Sequence, residues 1–186
     1  QELGLENKFV VGHVGRLHPQ KNHDFLIDIF AEIKKKKPDA ELILVGAGPL
    51  EQKVRNKVAD KGLTESVQFL GNRKDMNRVY QAMDIFVFPS LFEGLGIVGI
   101  EAQAAGVPIV CSEGLPPETD ITPIYRKLML SDGAEKWAEV AIEMAQSSEA
   151  HTNMQKYIID AGFDMSATAK NMEEYYLHRW VNSKNE

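Results

Sequence analysis

Residues 9–33 read FVVGHVGRLHPQKNHDFLIDIFAEI, and this stretch combines a strand, a turn and a helix. Phe9–Val14 is a short apolar run of the kind that forms a buried strand, and a glycine-containing turn occupies residues 15–21. Over residues 25–33 the apolar side chains recur at helical spacing, which predicts a helix. We therefore expect a strand that leads through a loop into a helix, the unit from which parallel sheets are built.

The same alternation of strands and helices continues along the chain. Further apolar runs predict strands at residues 41–45, 67–70, 84–88, 107–111 and, more weakly, 127–130. Helices are predicted between these strands, and the pattern is wholly helical beyond Gly133. The predicted fold class is therefore α/β: a Rossmann-like parallel sheet of about six strands, with helices on both faces and a helical C-terminal segment.

The composition is that of a globular domain and argues against several classes of partner. A chain of 186 residues, with 44% apolar and 26% charged residues, fits one domain with its own core. The net charge of −6 argues against a nucleic-acid partner, because phosphates are usually met by an excess of Lys and Arg. The longest apolar runs are far shorter than the roughly 20 residues that span a bilayer. The only cysteine, Cys111, cannot form an internal disulfide bond and is compatible with a reducing cytoplasm.

The residues that could bind a ligand follow the predicted strands directly. In a parallel sheet, ligands gather at the carboxyl ends of the strands, where loops and helix N-termini present free N–H groups. Each of the first four strands ends in such a segment, at residues 15–21, 46–48, 71–73 and 89–96. We therefore expect these four loops to meet in one crevice.

Two cations lie in the first of these loops. Arg16 offers a planar fork that can bind two oxygens, and Lys21, five residues later, offers a compact charge. Together they would suit a diphosphate, and Gly94 and Gly96 would let the backbone approach an anion closely. The alternative is that both cations are solvated surface side chains.

Two acids, Glu93 and Glu101, stand eight residues apart around the fourth loop. In one continuous helix that separation is about 12 Å of rise and roughly 80° of rotation, which is too far for a shared metal. A second arrangement has Glu93 in the loop and Glu101 inside an otherwise apolar helix, each against hydroxyl groups of one long polar ligand. A third leaves Glu93 exposed, while Glu101 caps backbone N–H groups of a neighbouring loop.

Three histidines, His13, His18 and His23, recur every five residues. This spacing matches neither a helical face nor a zinc-binding pattern. No metal site is therefore expected from them.

Five short motifs occur in a fixed order: GR at 15–16 with KN at 21–22, LVGAGPL at 44–50, VQFLG at 67–71, FPS at 88–90 and EGLGIVGIEA at 93–102. Each motif alone is weak, but in this order they closely resemble the C-terminal half of the group 1 (family four) glycosyltransferases over about residues 9–110. The resemblance implies the GT-B architecture of two facing Rossmann-like domains. Residues 1–186 would then be a single Rossmann-like domain that binds a nucleotide-sugar donor, with the N-terminal acceptor domain outside this chain.

The resemblance also implies a role for each candidate residue. Arg16 and Lys21 would hold the donor diphosphate and stabilise the leaving nucleoside diphosphate, while Glu93 would contact hydroxyls of the transferred sugar. These three are the catalytic candidates, and Glu101 would bind the ribose hydroxyls. The remaining members of the implied donor site are Gly15 and Gly46 in the first two loops, Asn72 and Arg73 near the base, and Gly94, Leu95, Gly96 and Ile97, whose backbone would meet the sugar and phosphates.

The resemblance carries further expectations for the whole enzyme. Such enzymes retain the anomeric configuration, and neither a cofactor nor a metal is expected, which agrees with the lack of an Asp-x-Asp triplet in the sequence. The implied setting is polysaccharide or glycolipid biosynthesis in the cytoplasm, and attachment of the full-length enzyme to the inner face of the membrane stays open. Leu95 stands where the family usually has an aromatic residue. Tyr175, Tyr176 and Trp180 lie on a last helix that, in the resembling fold, crosses back to the N-terminal domain and would otherwise expose apolar surface.

Three other functions are compatible with parts of the sequence. A sugar-nucleotide epimerase has a similar two-domain build, and a non-catalytic nucleotide-binding module would need only these residues. A dinucleotide-dependent oxidoreductase fits less well, because Glu51 stands where the third glycine of a dinucleotide-binding motif belongs.

Overall fold

A computed structural model describes residues 3–183, which form a six-stranded sheet with helices around it. The strands are β1 Phe9–Val14, β2 Ala40–Val45, β3 Val67–Gly71, β4 Ile85–Phe88, β5 Ile109–Ser112 and β6 Tyr125–Leu128. They pair in the order β3-β2-β1-β4-β5-β6, and every pairing is parallel. The predicted α/β fold class is confirmed. The single domain expected over residues 1–186 stays a prediction, and its residues 1, 2 and 184–186 lie outside the described residues.

Helices connect the strands and form the C-terminal segment. Within residues 3–183 the α-helices are α1 His23–Lys36, α2 Glu51–Asp60, α3 Met76–Tyr80, α4 Ile97–Ala104, α5 Gly133–Ala145, α6 Gln155–Asp160 and α7 Met165–Ser183. Short 3-10 helices lie at Pro19–Lys21, Thr64–Ser66, Pro117–Thr119 and Leu130–Asp132. Helices α1 to α4 alternate with strands, and α5 to α7 form the helical segment beyond the sheet, as the sequence predicts.

The last two strands occupy positions slightly different from those predicted. β5 begins two residues late, because the backbone N–H of Val107 donates to a carbonyl oxygen of α4 (3.0 Å) in the turn after that helix. The prediction of β6 at residues 127–130 is wrong, since the strand lies at Tyr125–Leu128. The backbone N–H of Met129 donates to the Asp132 carboxylate (2.9 Å) at the following 3-10 helix. Turn hydrogen bonds thus engage residues whose apolar character suggested strand.

Each face of the sheet buries an apolar core. On one face α1 and α5 meet through Phe30 and Trp137, both fully buried, and the Phe25 ring packs edge-on against Trp137 at 5.6 Å. On the other face Tyr80 of α3 packs with Phe86 of β4, their ring centroids 6.2 Å apart. Because both faces are covered, the central strands are continuous apolar runs without polar alternation.

The strand order reverses at the centre of the sheet, between β1 and β4. From β1 the chain moves outward to β2 and β3, then returns to β4 on the other side of β1 and continues outward to β6. At such a reversal the loops after the two central strands diverge and leave a crevice at the carboxyl edge. The fold therefore sets residues 15–22 and residues 89–96 on the two sides of that crevice.

Backbone hydrogen bonds join the loops that follow β1, β2 and β3. Gly15 N–H donates to the carbonyl of Val45 (2.9 Å), and Gly46 N–H donates to the carbonyl of Gly71 (2.8 Å). Gly46 has a φ of +127°, and a Cβ atom there would overlap the carbonyl oxygen of Gly15. Glycine at position 46 therefore lets the first two loops approach this closely.

A buried amide fixes α4 to the irregular loop between β5 and β6. Gln103 is fully buried and donates to the carbonyl oxygens of Gly99 (3.1 Å) and Thr119 (2.9 Å). Its own carbonyl oxygen accepts a hydrogen bond from the Thr122 hydroxyl (2.8 Å). Since these polar groups are satisfied inside the protein, the network holds α4 in one orientation against the sheet.

Helix α7 presents exposed apolar side chains. Tyr175, Tyr176 and Trp180 are 55%, 62% and 57% exposed, which confirms the apolar surface predicted for this helix. Across residues 3–183, no helix combines the length and the apolar character needed to cross a bilayer.

Replacing the glycine between the loops gives a test of this packing. We expect Gly46→Ala to lower the free energy of unfolding by about 2 kcal/mol or more, because it adds a strained φ and a steric overlap with Gly15. Urea unfolding followed by circular dichroism measures this change. Gly94→Ala is the control, since the space around Gly94 is open, and it should change stability by less than about 0.5 kcal/mol. Equal losses in the two variants would contradict the role given to Gly46.

Candidate functional site

The candidate site lies in the crevice between the loops that follow β1 and β4. The backbone N–H of Leu91 donates to the carbonyl of Gln20 (2.8 Å), which joins the two loops directly. The loop after β1 carries the predicted cations, and the loop after β4 carries the predicted sugar-side acid. The loop after β4 therefore contacts the loop after β1, which is already joined to the loops after β2 and β3.

An ion pair spans this crevice. The Nζ of Lys21 lies 2.7 Å from the Oε1 of Glu93, and the two side chains are only 15% and 7% exposed. The ammonium also lies 4.8 Å from the centre of the Phe88 ring, where its charge meets the face of the aromatic system. The alternative in which Glu93 is simply exposed is therefore wrong.

The Glu93 carboxylate is held by more than its cation. Gln20 donates through Nε2 to the carbonyl of Phe92 (2.9 Å) and, over a longer distance, to Oε2 of Glu93 (3.4 Å). The backbone N–H of Glu93 donates to the carbonyl of Gly114 (2.9 Å), in the loop after β5. Charge-assisted hydrogen bonds on a buried carboxylate offset its desolvation and fix its direction.

Gly15 makes room for the lysine. A Cβ atom at position 15 would lie 3.0 Å from Cε of Lys21, closer than ordinary van der Waals contact. The Lys21 stem therefore folds over the Gly15 backbone on its way to Glu93. A side chain at position 15 would require the Lys21 stem to shift by a few tenths of an ångström.

Arg16 is placed differently from Lys21. Its side chain is exposed, and among residues 3–183 it has neither a hydrogen-bond nor an ion-pair partner. The two predicted phosphate-binding cations thus share a loop, but only Lys21 contacts Glu93. Arg16 is therefore an exposed positive charge in the loop after β1.

The N-terminus of α4 faces the same edge of the sheet. Gly96 precedes the helix with a φ of +67°, in the left-handed conformation that glycine adopts readily. Gly94, Leu95 and Ile97 are exposed around it. The first N–H groups of a helix have no partner inside the helix and carry a partial positive charge. This helix end can therefore bind an anion beside Arg16 and Lys21.

Glu101 lies further along α4 and has a partner that the sequence analysis missed. Its side chain is exposed rather than enclosed by apolar groups, and its Oε2 accepts a hydrogen bond from the Tyr80 hydroxyl (2.8 Å). The same hydroxyl lies 3.2 Å from the carbonyl of Val98. Burial and the neighbouring Glu101 carboxylate raise the pKa of Tyr80, so the phenol keeps its proton. The two acids Glu93 and Glu101 therefore have separate partners.

The predicted base-side residues lie beyond β3. Arg73 donates through Nε and Nη2 to the two carboxylate oxygens of Asp75 (2.9 and 2.7 Å), and these bonds lower the pKa of Asp75. Asn72 is exposed. Gly46 connects this region to the first loop through Gly71, as described above. The structure shows no direct contact between Asn72 or Arg73 and the Lys21–Glu93 pair.

Two of the three regularly spaced histidines meet in the interior beneath the crevice. The rings of His13 and His23 are edge-to-face with centroids 4.8 Å apart, whereas His18 is exposed. His13 donates through Nδ1 to the carbonyl of Val87 (2.9 Å). Within residues 3–183, no group of three or more His, Cys, Asp or Glu side chains is arranged to hold a metal ion.

Burial keeps both imidazoles neutral. Burial, followed by the charge of Lys21, lowers the pKa of His23 from 6.5 to about 4. Burial, followed by repulsion from His23, lowers the pKa of His13 well below its ordinary value. Neither ring can gain a proton near neutral pH without a cost in folding free energy.

Three members of this site were not found from the sequence. Tyr80 and Phe88 lie within helical and strand patterns that predicted structural roles for them, and Gln20 lies in the predicted turn at residues 15–21. Gln20 shares that turn with both predicted cations, and Tyr80 places a hydroxyl among the apolar positions Met76, Val79 and Met83. Those two features were the available signals, since a buried tyrosine usually needs a partner for its hydroxyl.

Comparisons with known proteins point to one family. The family model for glycosyl transferases group 1 matches residues 1–161. The chain is 36% identical over 145 residues to the GDP-mannose-dependent monoacylated alpha-(1-6)-phosphatidylinositol monomannoside mannosyltransferase of Corynebacterium glutamicum, a match that covers 73% of this chain and 37% of that protein. It is 31% identical to the D-inositol 3-phosphate glycosyltransferase of Corynebacterium aurimucosum, over 95% of this chain and 45% of that protein.

A solved structure agrees with these sequence matches. The fold superposes on the crystal structure of Anabaena Alr3699/HepE in complex with UDP-glucose with a TM-score of 0.80 and 25% identity. This match covers 96% of the present chain and 51% of the Anabaena chain. Across these three proteins, the chain spans 37% to 51% of the relative's length.

The buried histidines predict how stability depends on pH. In the unfolded chain each imidazole binds a proton near pH 6.5, whereas His23 in the folded chain does so only near pH 4. The unfolded state thus binds more protons between these values, so the free energy of unfolding should fall as the pH is lowered from about 6.5 to about 4. Urea unfolding at a series of pH values measures this dependence. His23→Leu should reduce the fall, while the exposed control His18→Leu should leave it unchanged, and identical pH profiles for the two variants would refute the assignment.

Proposed function

Because the chain belongs to the group 1 glycosyltransferases, we propose that it binds a nucleoside-diphosphate sugar as the donor-binding part of a retaining glycosyltransferase. The observation that carries this proposal is the buried Lys21–Glu93 pair at the reversal of strand order, with an unpaired Arg16 in the same described loop. A cation for phosphate and an acceptor for sugar hydroxyls thus lie side by side at the edge where open α/β sheets bind ligands.

The diphosphate is assigned to Arg16, Lys21 and the N-terminus of α4. Arg16 is free to offer two parallel N–H donors, while Lys21 supplies a point charge from a partly desolvated position. Helix N–H groups after Gly96 add donors that need no rearrangement. Neither a metal nor a cofactor enters this proposal.

The sugar is assigned to Glu93. Its carboxylate is held from both sides by Lys21 and Gln20, so its remaining lone pairs point in fixed directions. Paired sugar hydroxyls are donors that such a carboxylate accepts well. When a phosphate draws Lys21 toward itself, those hydroxyls would take over part of the hydrogen bonding that the ammonium gave to Glu93.

The chemistry then rests on electrostatic stabilisation. The bond between the anomeric carbon and the phosphate oxygen breaks and its electron pair passes to the leaving diphosphate. The acceptor oxygen forms the new bond to that carbon, and the proton of the acceptor hydroxyl passes to the leaving phosphate oxygen. Arg16, Lys21 and the α4 N-terminus face the oxygen on which negative charge develops, and such preorganised donors often make the largest contribution to rate. Glu93 holds the sugar so that its anomeric carbon lies beside these donors.

We infer the donor and the acceptor from the relatives rather than from the geometry of this site. Among the relatives, the Corynebacterium glutamicum protein is named for GDP-mannose and the Anabaena structure contains UDP-glucose. We assign the acceptor to the part of a longer enzyme outside this chain, because the chain spans only 37% and 45% of the two curated relatives. The phosphatidylinositol monomannoside in the name of one relative supports glycolipid synthesis, with a polysaccharide as the other candidate. The family membership favours a transferase over an epimerase or an oxidoreductase.

Isothermal titration calorimetry tests donor binding directly. We expect the 186-residue chain to bind at least one of UDP, GDP and ADP, with affinity higher than for inorganic pyrophosphate because the nucleoside adds contacts. A folded chain that binds none of the three would overturn the proposal.

The same titration separates the roles of Arg16 and Glu101. Arg16→Ala should weaken a nucleoside diphosphate and pyrophosphate alike, by roughly tenfold, because it removes a bidentate contact to phosphate. Glu101→Ala should weaken only the binding of the ligand that contains ribose. Lys156→Ala, which removes a cation that is 88% exposed on α6, serves as the control and should leave both affinities unchanged. Equal losses of pyrophosphate binding in Arg16→Ala and Glu101→Ala would contradict this division.

A further inference from the structure

Tyr80 connects the buried side of α3 to the exposed Glu101 of α4. Its side chain is only 3% exposed, and its ring packs edge-on against Phe86 at 6.2 Å. The ring position is therefore fixed by the core, as expected for an aromatic side chain in a close-packed interior. Its hydroxyl emerges beside α4, 2.8 Å from Oε2 of Glu101 and 3.2 Å from the carbonyl of Val98.

The hydroxyl has one proton to give, and the shorter contact is to Glu101. A glutamate on an exposed helix surface otherwise samples several rotamers, and holding it for a ligand costs side-chain entropy. In the described part of the chain, Tyr80 is the hydrogen-bond partner of this carboxylate, and its Oε1 has none. Tyr80 thus fixes one carboxylate oxygen and leaves the other directed to solvent.

We propose that Tyr80 is a positioning residue for nucleoside recognition: its hydroxyl holds the Glu101 carboxylate so that the free oxygen can accept the ribose hydroxyls of the donor. This inference rests on the proposed function, because it concerns the nucleoside end of the same ligand. Tyr80 does not touch the ligand itself. It acts by reducing the conformations of Glu101 that must be lost on binding.

The geometry separates this role from a purely structural one. Phenylalanine at position 80 would keep the ring contacts with Phe86 and remove only the hydroxyl. If the hydroxyl serves folding alone, its loss lowers stability and leaves the ligand selectivity unchanged. If it positions Glu101, its loss weakens the binding of ligands that carry ribose hydroxyls and leaves the binding of a diphosphate without ribose unchanged.

Tyr80→Phe provides the test, using whichever of UDP, GDP and ADP the wild-type chain binds most tightly, the 2′-deoxy analogue of that nucleotide, and inorganic pyrophosphate. We expect the dissociation constant for the nucleotide to rise roughly five- to tenfold, as for loss of a hydrogen bond that orders a charged group. The affinity for the 2′-deoxy analogue should fall by a smaller factor, and the affinity for pyrophosphate should not change. A Tyr80→Phe/Glu101→Ala double variant should bind the nucleotide no more weakly than Glu101→Ala alone, because both changes disable one unit.

Tyr125→Phe is the matched control. Tyr125 is also a buried tyrosine, 8% exposed, but its hydroxyl pairs with Thr119 (2.9 Å) rather than with a residue of the proposed site. It should leave all three affinities unchanged, and thermal unfolding of both variants reports any loss of stability. Unchanged nucleotide affinity in Tyr80→Phe, or an equal loss for pyrophosphate, would overturn the positioning role while the proposed function stands. Absence of nucleotide binding by the folded wild-type chain would overturn the proposed function and this inference with it.

Discussion

The contact between Lys21 and Glu93 is the constraint around which the site is built. Two opposite charges that are 15% and 7% exposed lose most of their hydration, and removing either partner leaves the other buried and uncompensated. Neighbouring features serve this pair: Gly15 gives the lysine stem its path, and Gln20 binds the second carboxylate oxygen. Because the two residues come from the loops after β1 and β4, the pair also holds together the two sides of the crevice.

The arrangement explains how charge is divided along the edge of the sheet. Lys21 is paired with Glu93, whereas Arg16 is exposed and has no partner among the described residues. In the proposed donor site, Arg16 and the helix end would therefore attract an anion from a distance, and the buried pair would make the close contacts. Beneath them, the neutral rings of His13 and His23 fill the interior without adding charge that would disturb the pair.

Much of the fold and of the candidate site could be predicted from the sequence, because the patterns that carry it involve residues close together in the chain. Phe9–Val14 and the helix after it are continuous in sequence, and strand ends in a parallel sheet have only one edge at which to meet. The pairing of Lys21 with Glu93 could not be predicted, because 72 residues separate them and only the packed sheet sets their distance. Helix α4 was expected to be apolar around Glu101. In the structure Glu101 is exposed to solvent, although the residues before and after it in this eight-residue helix are buried. So short a helix gives too few turns to reveal its exposed face from the pattern alone.

The buried ion pair also determines which molecules can enter the crevice at low cost. A small anion that draws Lys21 away would leave the buried Glu93 carboxylate without its cation. An uncharged sugar would give Glu93 new hydrogen-bond donors but would give the Lys21 ammonium no new partner. A molecule with a phosphate at one end of a short link and hydroxyl groups at the other replaces both halves of the pair in one step. In the proposed donor site, the mutual neutralisation of Lys21 and Glu93 thus sets two conditions on a ligand: free phosphate and free sugar would each meet one, and a sugar phosphate would meet both.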